Sequence, residues 1–155
     1  MKRLVLKTQK ASETFQIGKD IGGSLLPGDV VALTGELGAG KTQLIKGLAK
    51  GAGIKYPAYI SSPTFTRINE YPGKIPFYHI DLFRLNREEE AKELGLEDYF
   101  EGKGITAVEW ADKIPSFLPG EMLHIHITYT GKHKRSLELT AKGKHYEELL
   151  ERSLS

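Results

Sequence analysis

The stretch "LTGELGAGKTQL", Leu33 to Leu44, decides how this chain is read. Val30, Val31 and Ala32 lead into it, a continuous apolar run that suits a strand covered on both faces. Leu44, Ile45, Leu48, Ala49 and Ala52 follow at helical spacing and predict a helix over 41–52, stopped by Gly53. Between strand and helix, Gly35, Gly40, Lys41 and Thr42 satisfy G-x-x-x-x-G-K-[ST]. Such a bend needs glycines so that backbone N–H groups can turn inward around phosphates. The helix N-terminus adds positive partial charge. Lys41 can reach the β- and γ-phosphates, and the Thr42 hydroxyl can ligate Mg²⁺. The expected nucleotide cradle is therefore Gly35, Glu36, Leu37, Gly38, Ala39, Gly40, Lys41 and Thr42.

Before this loop, 3–8 reads as a short strand, with Ser12 as cap of a helix whose inner face is Thr14, Ile17, Ile21 and Leu25. Beyond it, "TRINEY" and "IPFYHIDLF" flank "PGK" as a hairpin. "NREEEAKELG" predicts a short helix capped by Asn86 and ended by Gly95, and "LEDYF" one more helical turn. "GITAVEW" reads as a buried strand, "EMLHIHITYT" and "KRSLELTA" as a hairpin around "GKHK", and "HYEELLERSL" as a terminal helix. The sum is a three-layer α/β domain, similar to P-loop NTPases, with a mixed sheet and added antiparallel hairpins. Residues 1–155 are expected to form a single domain, with no repeat or linker between units.

Bulk properties narrow the class. Cysteine is absent, which excludes disulfides and thiolate zinc sites. No apolar run reaches the roughly 20 residues of a membrane span, and the first ten residues lack the apolar core of a signal peptide. A soluble, cytoplasmic protein is expected. A net charge of +2 is too small to imply nucleic-acid binding through the global field.

Two carboxylates are placed to serve the loop. Asp81 closes "FYHID" and Glu109 closes "ITAVE", and ligands of open α/β sheets sit beyond the carboxyl ends of strands. Either could hold the metal or position the attacking water. Thr64, in the "SSPTF" loop, is a candidate γ-phosphate sensor. Ser12 lies near enough to the chain's entry to flank a base. His79 reads as a packed or capping histidine, and His124 and His126 as structural for want of a third ligand. Trp110 reads as a core aromatic.

The loop belongs to many enzyme classes. A GTPase is disfavoured, because no N-K-x-D element is present to read guanine. A small-molecule kinase stays open, although only "TRINEY" and "FRLNR" offer the arginines of a phosphate lid. A nucleotide-dependent binding switch with incidental hydrolysis stays open as well.

"GELGAGKT", "SPTF", "HIDLFRL" and "VEW", in this order and at these spacings, resemble the TsaE (YjeE) family over about Ser12 to Arg135. The resemblance implies a small Mg²⁺-dependent ATPase of bacterial tRNA threonylcarbamoyladenosine synthesis. It implies ATP and Mg²⁺ as cofactors and the proteins TsaD and TsaB as partners, with tRNA met only through that complex. Hydrolysis would reset TsaD–TsaB between turnovers. Carried onto this chain, catalytic roles fall to Lys41, Asp81, Glu109 and Thr64, and metal contacts to Thr42, Glu109 and Asp81. Phe83 stands where the family commonly has tyrosine. The hairpin often reads G-R-x-x-R and here reads Gly131-Lys132-His133-Lys134-Arg135, so Lys132 and Arg135 become candidate nucleotide or partner contacts.

Overall fold

The structure is a computed structural model, and it describes residues 1–36, 40–57 and 68–154. Seven strands form one sheet: β1 (Lys2–Thr8), β2 (Val30–Gly35), β3 (Ile68–Tyr71), β4 (Phe77–Asp81), β5 (Ile105–Glu109), β6 (Met122–Tyr129) and β7 (Arg135–Lys142). Their order across the sheet is β1-β7-β6-β2-β5-β4-β3. The four central strands β6, β2, β5 and β4 are parallel, while β3, β7 and β1 add antiparallel edges. The expected mixed sheet with hairpins is what the chain forms.

Strand alternation decides what each face carries. Val31, Leu33, Phe77, Ile105, Ala107, Leu123, Ile125 and Ile127 point to one face. There they meet α1 (Ala11–Gly22), α2 (Lys41–Gly51) and α5 (Lys144–Leu154) through Ile21, Leu44, Ile45, Leu48, Leu149 and Leu150. Val30, Ala32, Ile80 and Val108 point to the other, under the short helices α3 (Glu90–Glu93) and α4 (Leu96–Phe100) and a 3-10 turn at Ala111–Lys113. Each large side chain so buried contributes roughly 1.5–3 kcal/mol. The Tyr146 hydroxyl fixes α5 to the start of β2 by accepting the Val30 N–H at 3.0 Å.

The contact between α1 and α2 is made by glycines. A Cβ on Gly18 or Gly22 would lie 2.4 or 2.2 Å from the carbonyl oxygens of Leu44 and Leu48. One on Gly47 or Gly51 would lie 2.2 or 2.1 Å from those of Phe15 and Lys19. Backbone meets backbone along this seam, with no room for a side chain.

Three local readings are corrected. Ser12 does not cap α1: the helix begins one residue earlier, Lys10 occupies the cap position in extended conformation, and Ser12 is exposed in the first turn. The Glu13 side chain accepts the Gln9 N–H at 2.5 Å and ties the first turn to the residue before the cap. Asn86 does not cap α3, which starts only at Glu90; the Glu88 carboxylate instead accepts the Ser116 N–H at 2.6 Å. Trp110 does not extend β5. It takes the left-handed conformation, φ 60°, and turns the chain out of the sheet.

Candidate active site

The parallel strands all end on the same side of the sheet, and parity sends their last residues to one face. Gly35, Asp81 and Glu109 close β2, β4 and β5. Each shares strand parity with the residues that pack under α1 and α2. Asp81 and Glu109 are register partners across β4 and β5, and Leu33 pairs with Glu109 across β2 and β5. The sequence-predicted carboxylates are thus brought together beside the glycine-rich loop. Gly35 has φ 135°, and a Cβ there would strike the Ile127 carbonyl oxygen at 2.3 Å. Gly40, φ 96°, turns the chain into α2.

Lys41 opens α2 and is 4% exposed. Its Nζ donates to the Gly35 carbonyl at 2.9 Å and stands 4.0 Å from the centre of the Trp110 ring. Burial pushes the Lys41 ammonium below its ordinary pKa, while Glu109, Asp81 and Asp112 act in the opposite direction. A buried cation whose close partners are one carbonyl and one π face retains N–H donors that an anion can satisfy. Asp81 is pushed above the usual carboxylate range, first by burial and then by Glu109, although its Oδ1 accepts the Phe83 N–H at 2.9 Å. A carboxyl raised in this way by burial and a neighbouring acid is relieved by a nearby cation. Among the described residues no cluster of three or more His, Asp or Glu could hold a metal by itself. The hard oxygen donors Asp81 and Glu109 are of the kind Mg²⁺ takes alongside waters and phosphate oxygens. Thr42 is half-buried in the first turn of α2, next to Lys41. Glu36 is exposed. Leu37, Gly38, Ala39 and Thr64 lie outside the described residues.

Trp110 packs against the core on the α3–α4 face, as its reading as a core aromatic expected, but it also reaches the site. It is half-buried, 5.2 Å from the Phe83 ring, and forms a wall of the site beside Lys41. The signal was its place directly after a strand-ending carboxylate. His79 was read as packed or capping; it is fully buried, and its Nε2 meets Glu109 Oε2 at 2.6 Å.

A small cavity, about 70 Å³, opens next to Gly40 and is lined by Ala11, Thr14, Gln43, His133 and Arg135. The Thr8 and Thr14 hydroxyls, 2.9 Å apart, pin the start of α1 to the end of β1 and so hold this wall in place. Arg135 comes close enough that a Cβ on Gly40 would lie 3.4 Å from its Nε, and its guanidinium stacks 4.3 Å from the Tyr129 ring. Lys132 is exposed in the hairpin turn and is not among these lining residues. His133, unremarked in the sequence, takes its place. Ser12 stands next to Ala11 but does not line the cavity.

His124 and His126 carry the opposite parity and face away from this site. Both meet the Thr34 hydroxyl, at 2.9 and 2.7 Å, in a cavity of about 320 Å³ that also includes Asp112 and Lys142. Burial and the neighbouring Lys142 hold His124 below its ordinary pKa. Both are hydrogen-bonded to β2 through Thr34.

The model of the family "Threonylcarbamoyl adenosine biosynthesis protein TsaE" matches residues 8–137. A Bacillus subtilis (strain 168) protein named tRNA threonylcarbamoyladenosine biosynthesis protein TsaE is 45% identical over 152 residues, covering 97% of this chain and 94% of its own. A protein of the same name from Nostoc sp. (strain PCC 7120) is 45% identical over 132 residues, covering 82% of this chain and 79% of its own. The crystal structure of YdiB from Bacillus subtilis superposes with a TM-score of 0.81 at 41% identity, covering 97% of this chain and 93% of that one. With matches of this extent, and with a loop lysine set against two strand-end carboxylates, the chain belongs to the TsaE family.

Proposed function

We propose that this protein is a Mg²⁺-dependent ATPase required for threonylcarbamoyl modification of the adenosine next to the anticodon in tRNAs reading codons that begin with A. It acts with TsaD and TsaB and resets that complex between turnovers. The observation that carries the ATPase reading is the placement of Lys41. It is a buried ammonium at a helix N-terminus, answered by one carbonyl and one aromatic face, with Asp81 and Glu109 at adjoining strand ends. The pathway rests on family membership.

Lys41 binds the phosphates and draws charge from them as the terminal bond breaks. Thr42, Asp81 and Glu109 would hold Mg²⁺ or its waters, and the metal supplies charge neutralisation when bound. Asp81 and Glu109 accept protons or orient water through oxygens set by strand register. The cavity of Ala11, Thr14, Gln43, His133 and Arg135 beside Gly40 is the place for the nucleoside end. Without a guanine-reading element, ATP is the expected nucleotide.

The test is ATP hydrolysis by the purified protein, alone and with TsaD–TsaB, together with capture of that complex in the presence and absence of a non-hydrolysable analogue. Phosphate release that needs no acceptor and rises with the partners supports the reading. A preference for GTP, or transfer of phosphate to a metabolite, overturns it.

A further inference from the structure

His79 lies two residues before Asp81 on β4 and shares its strand face. Its side chain has no exposed surface, and its Nε2 sits 2.6 Å from Glu109 Oε2. The carboxylate accepts, so the ring proton belongs on Nε2. The other ring nitrogen, Nδ1, is buried and has no hydrogen-bond partner among the described residues. A ring turned over would lose the contact to Glu109. One orientation and one tautomer satisfy the site.

Packing does not account for this residue. An apolar side chain of like size would fill the space and leave no orphaned nitrogen, as Phe77 does two residues earlier on the same face. The hydrogen bond is also directed at one oxygen of the residue that the proposed function places at the metal. Buried donors of this kind orient ligands and are worth about 10–100-fold in affinity or activity.

We infer that His79 is a positioning residue, holding Oε2 of Glu109 by its Nε2–H so that Oε1 is left as the oxygen available to the metal or its water. The inference rests on the role proposed for Glu109. It also gives β4 a second function. His79 ties the strand that ends in Asp81 to the carboxylate that ends β5, and so fixes the two acids relative to each other.

The test uses the full chain with His79→Leu, His79→Asn and His79→Gln, and Glu109→Ala alone and combined with His79→Leu. The glutamine amide reaches the position of Nε2, whereas that of asparagine falls short of it. His79→Leu and His79→Asn should lower kcat for ATP at least about tenfold, with KM changed less than about twofold, and His79→Gln should recover most of the loss. In the Glu109→Ala background, His79→Leu should cost nothing further. Without nucleotide or metal, a long-range ¹H–¹⁵N spectrum should show one histidine fixed as the Nε2–H tautomer, and that signature should vanish in Glu109→Ala. If Glu109→Ala is inactive while folded His79→Leu turns over normally, the positioning role is wrong. An Nδ1–H tautomer, or equal losses in the asparagine and glutamine variants, overturns it too. Should His79→Leu not fold, the comparison of asparagine with glutamine and the tautomer decide. Normal hydrolysis by Glu109→Ala would instead remove the role given to Glu109, and the tautomer would still report whether His79 holds it.

Discussion

Asp81 and Glu109 are register partners on adjacent parallel strands, and Glu109 and Lys41 both act on the Asp81 carboxyl, in opposite directions. Glu109→Ala should therefore abolish most Mg²⁺-dependent hydrolysis while leaving nucleotide affinity largely intact, because backbone N–H groups and Lys41 still hold the phosphates. Asp81→Asn keeps the shape and the acceptor for the Phe83 N–H, so binding should persist while turnover falls. Nucleotide affinity and ATPase rate with TsaD–TsaB check both. Multiple-turnover tRNA modification should fail in parallel. Full modification without hydrolysis would show that nucleotide binding alone is the function.

Lys41→Ala should lower ATP turnover on the order of a hundredfold, about 3 kcal/mol of transition-state stabilisation. Thr42→Ala should produce a loss that excess Mg²⁺ partly offsets. Both variants should stay folded, since alanine favours α2 and the removed ammonium was buried at a cost. The measurement is steady-state hydrolysis beside a thermal melt. A folded Lys41→Ala protein with normal turnover would end the phosphate-loop reading.

Tyr146 predicts an alkaline limit on stability. Burial raises its pKa to about 12, above the ordinary value of 10.0. A raised folded-state value means that its contribution is complete below pH 10 and is lost as pH climbs through about 12. The span corresponds to roughly 2–3 kcal/mol. Tyr146→Phe should be less stable at pH 7 by about 1–3 kcal/mol, because the Val30 N–H loses its acceptor. Its stability should then fall less steeply than the parent's between pH 10 and 12. Denaturant melts across that range give both slopes.

Gly47→Ala should destabilise the fold by about 1–3 kcal/mol or more, since the new methyl meets the Phe15 carbonyl at 2.2 Å. Gly53→Ala is the control: nothing lies within 4 Å of its Cβ, and only the strain of φ 102° is felt. Thermal melts of both variants separate seam packing from backbone strain. Equal losses would show that the seam has room to open.

Local pattern carried much of this molecule. The apolar run 30–33, the spacing of Leu44, Ile45 and Leu48, and the turn residues around each hairpin place the loop, the strand ends and both carboxylates before any contact is known. What pattern misses are relations set by register. His79 and Glu109 are 30 residues apart, and nothing pairs them until β4 lies beside β5. Trp110 has the composition of a core residue, and only its left-handed backbone sends it to Lys41. Ser12 has the chemistry of a cap, but Glu13 reaches the free Gln9 N–H and the helix starts before it. His133 would have emerged from extending the alternation of β7 two residues back into the turn.

The glycine seam joins the loop to distant parts of the fold. Gly18 and Gly22 on α1 interlock with Gly47 and Gly51 on α2, backbone on backbone, so the pair has no soft side-chain layer through which one helix could slip past the other. The N-terminus of α2 carries Lys41 into the candidate site, and that of α1 walls the cavity beside Gly40. Along the roughly 16 Å of α2 the two helices are therefore registered against each other by backbone alone, and the positions of their N-termini are fixed together.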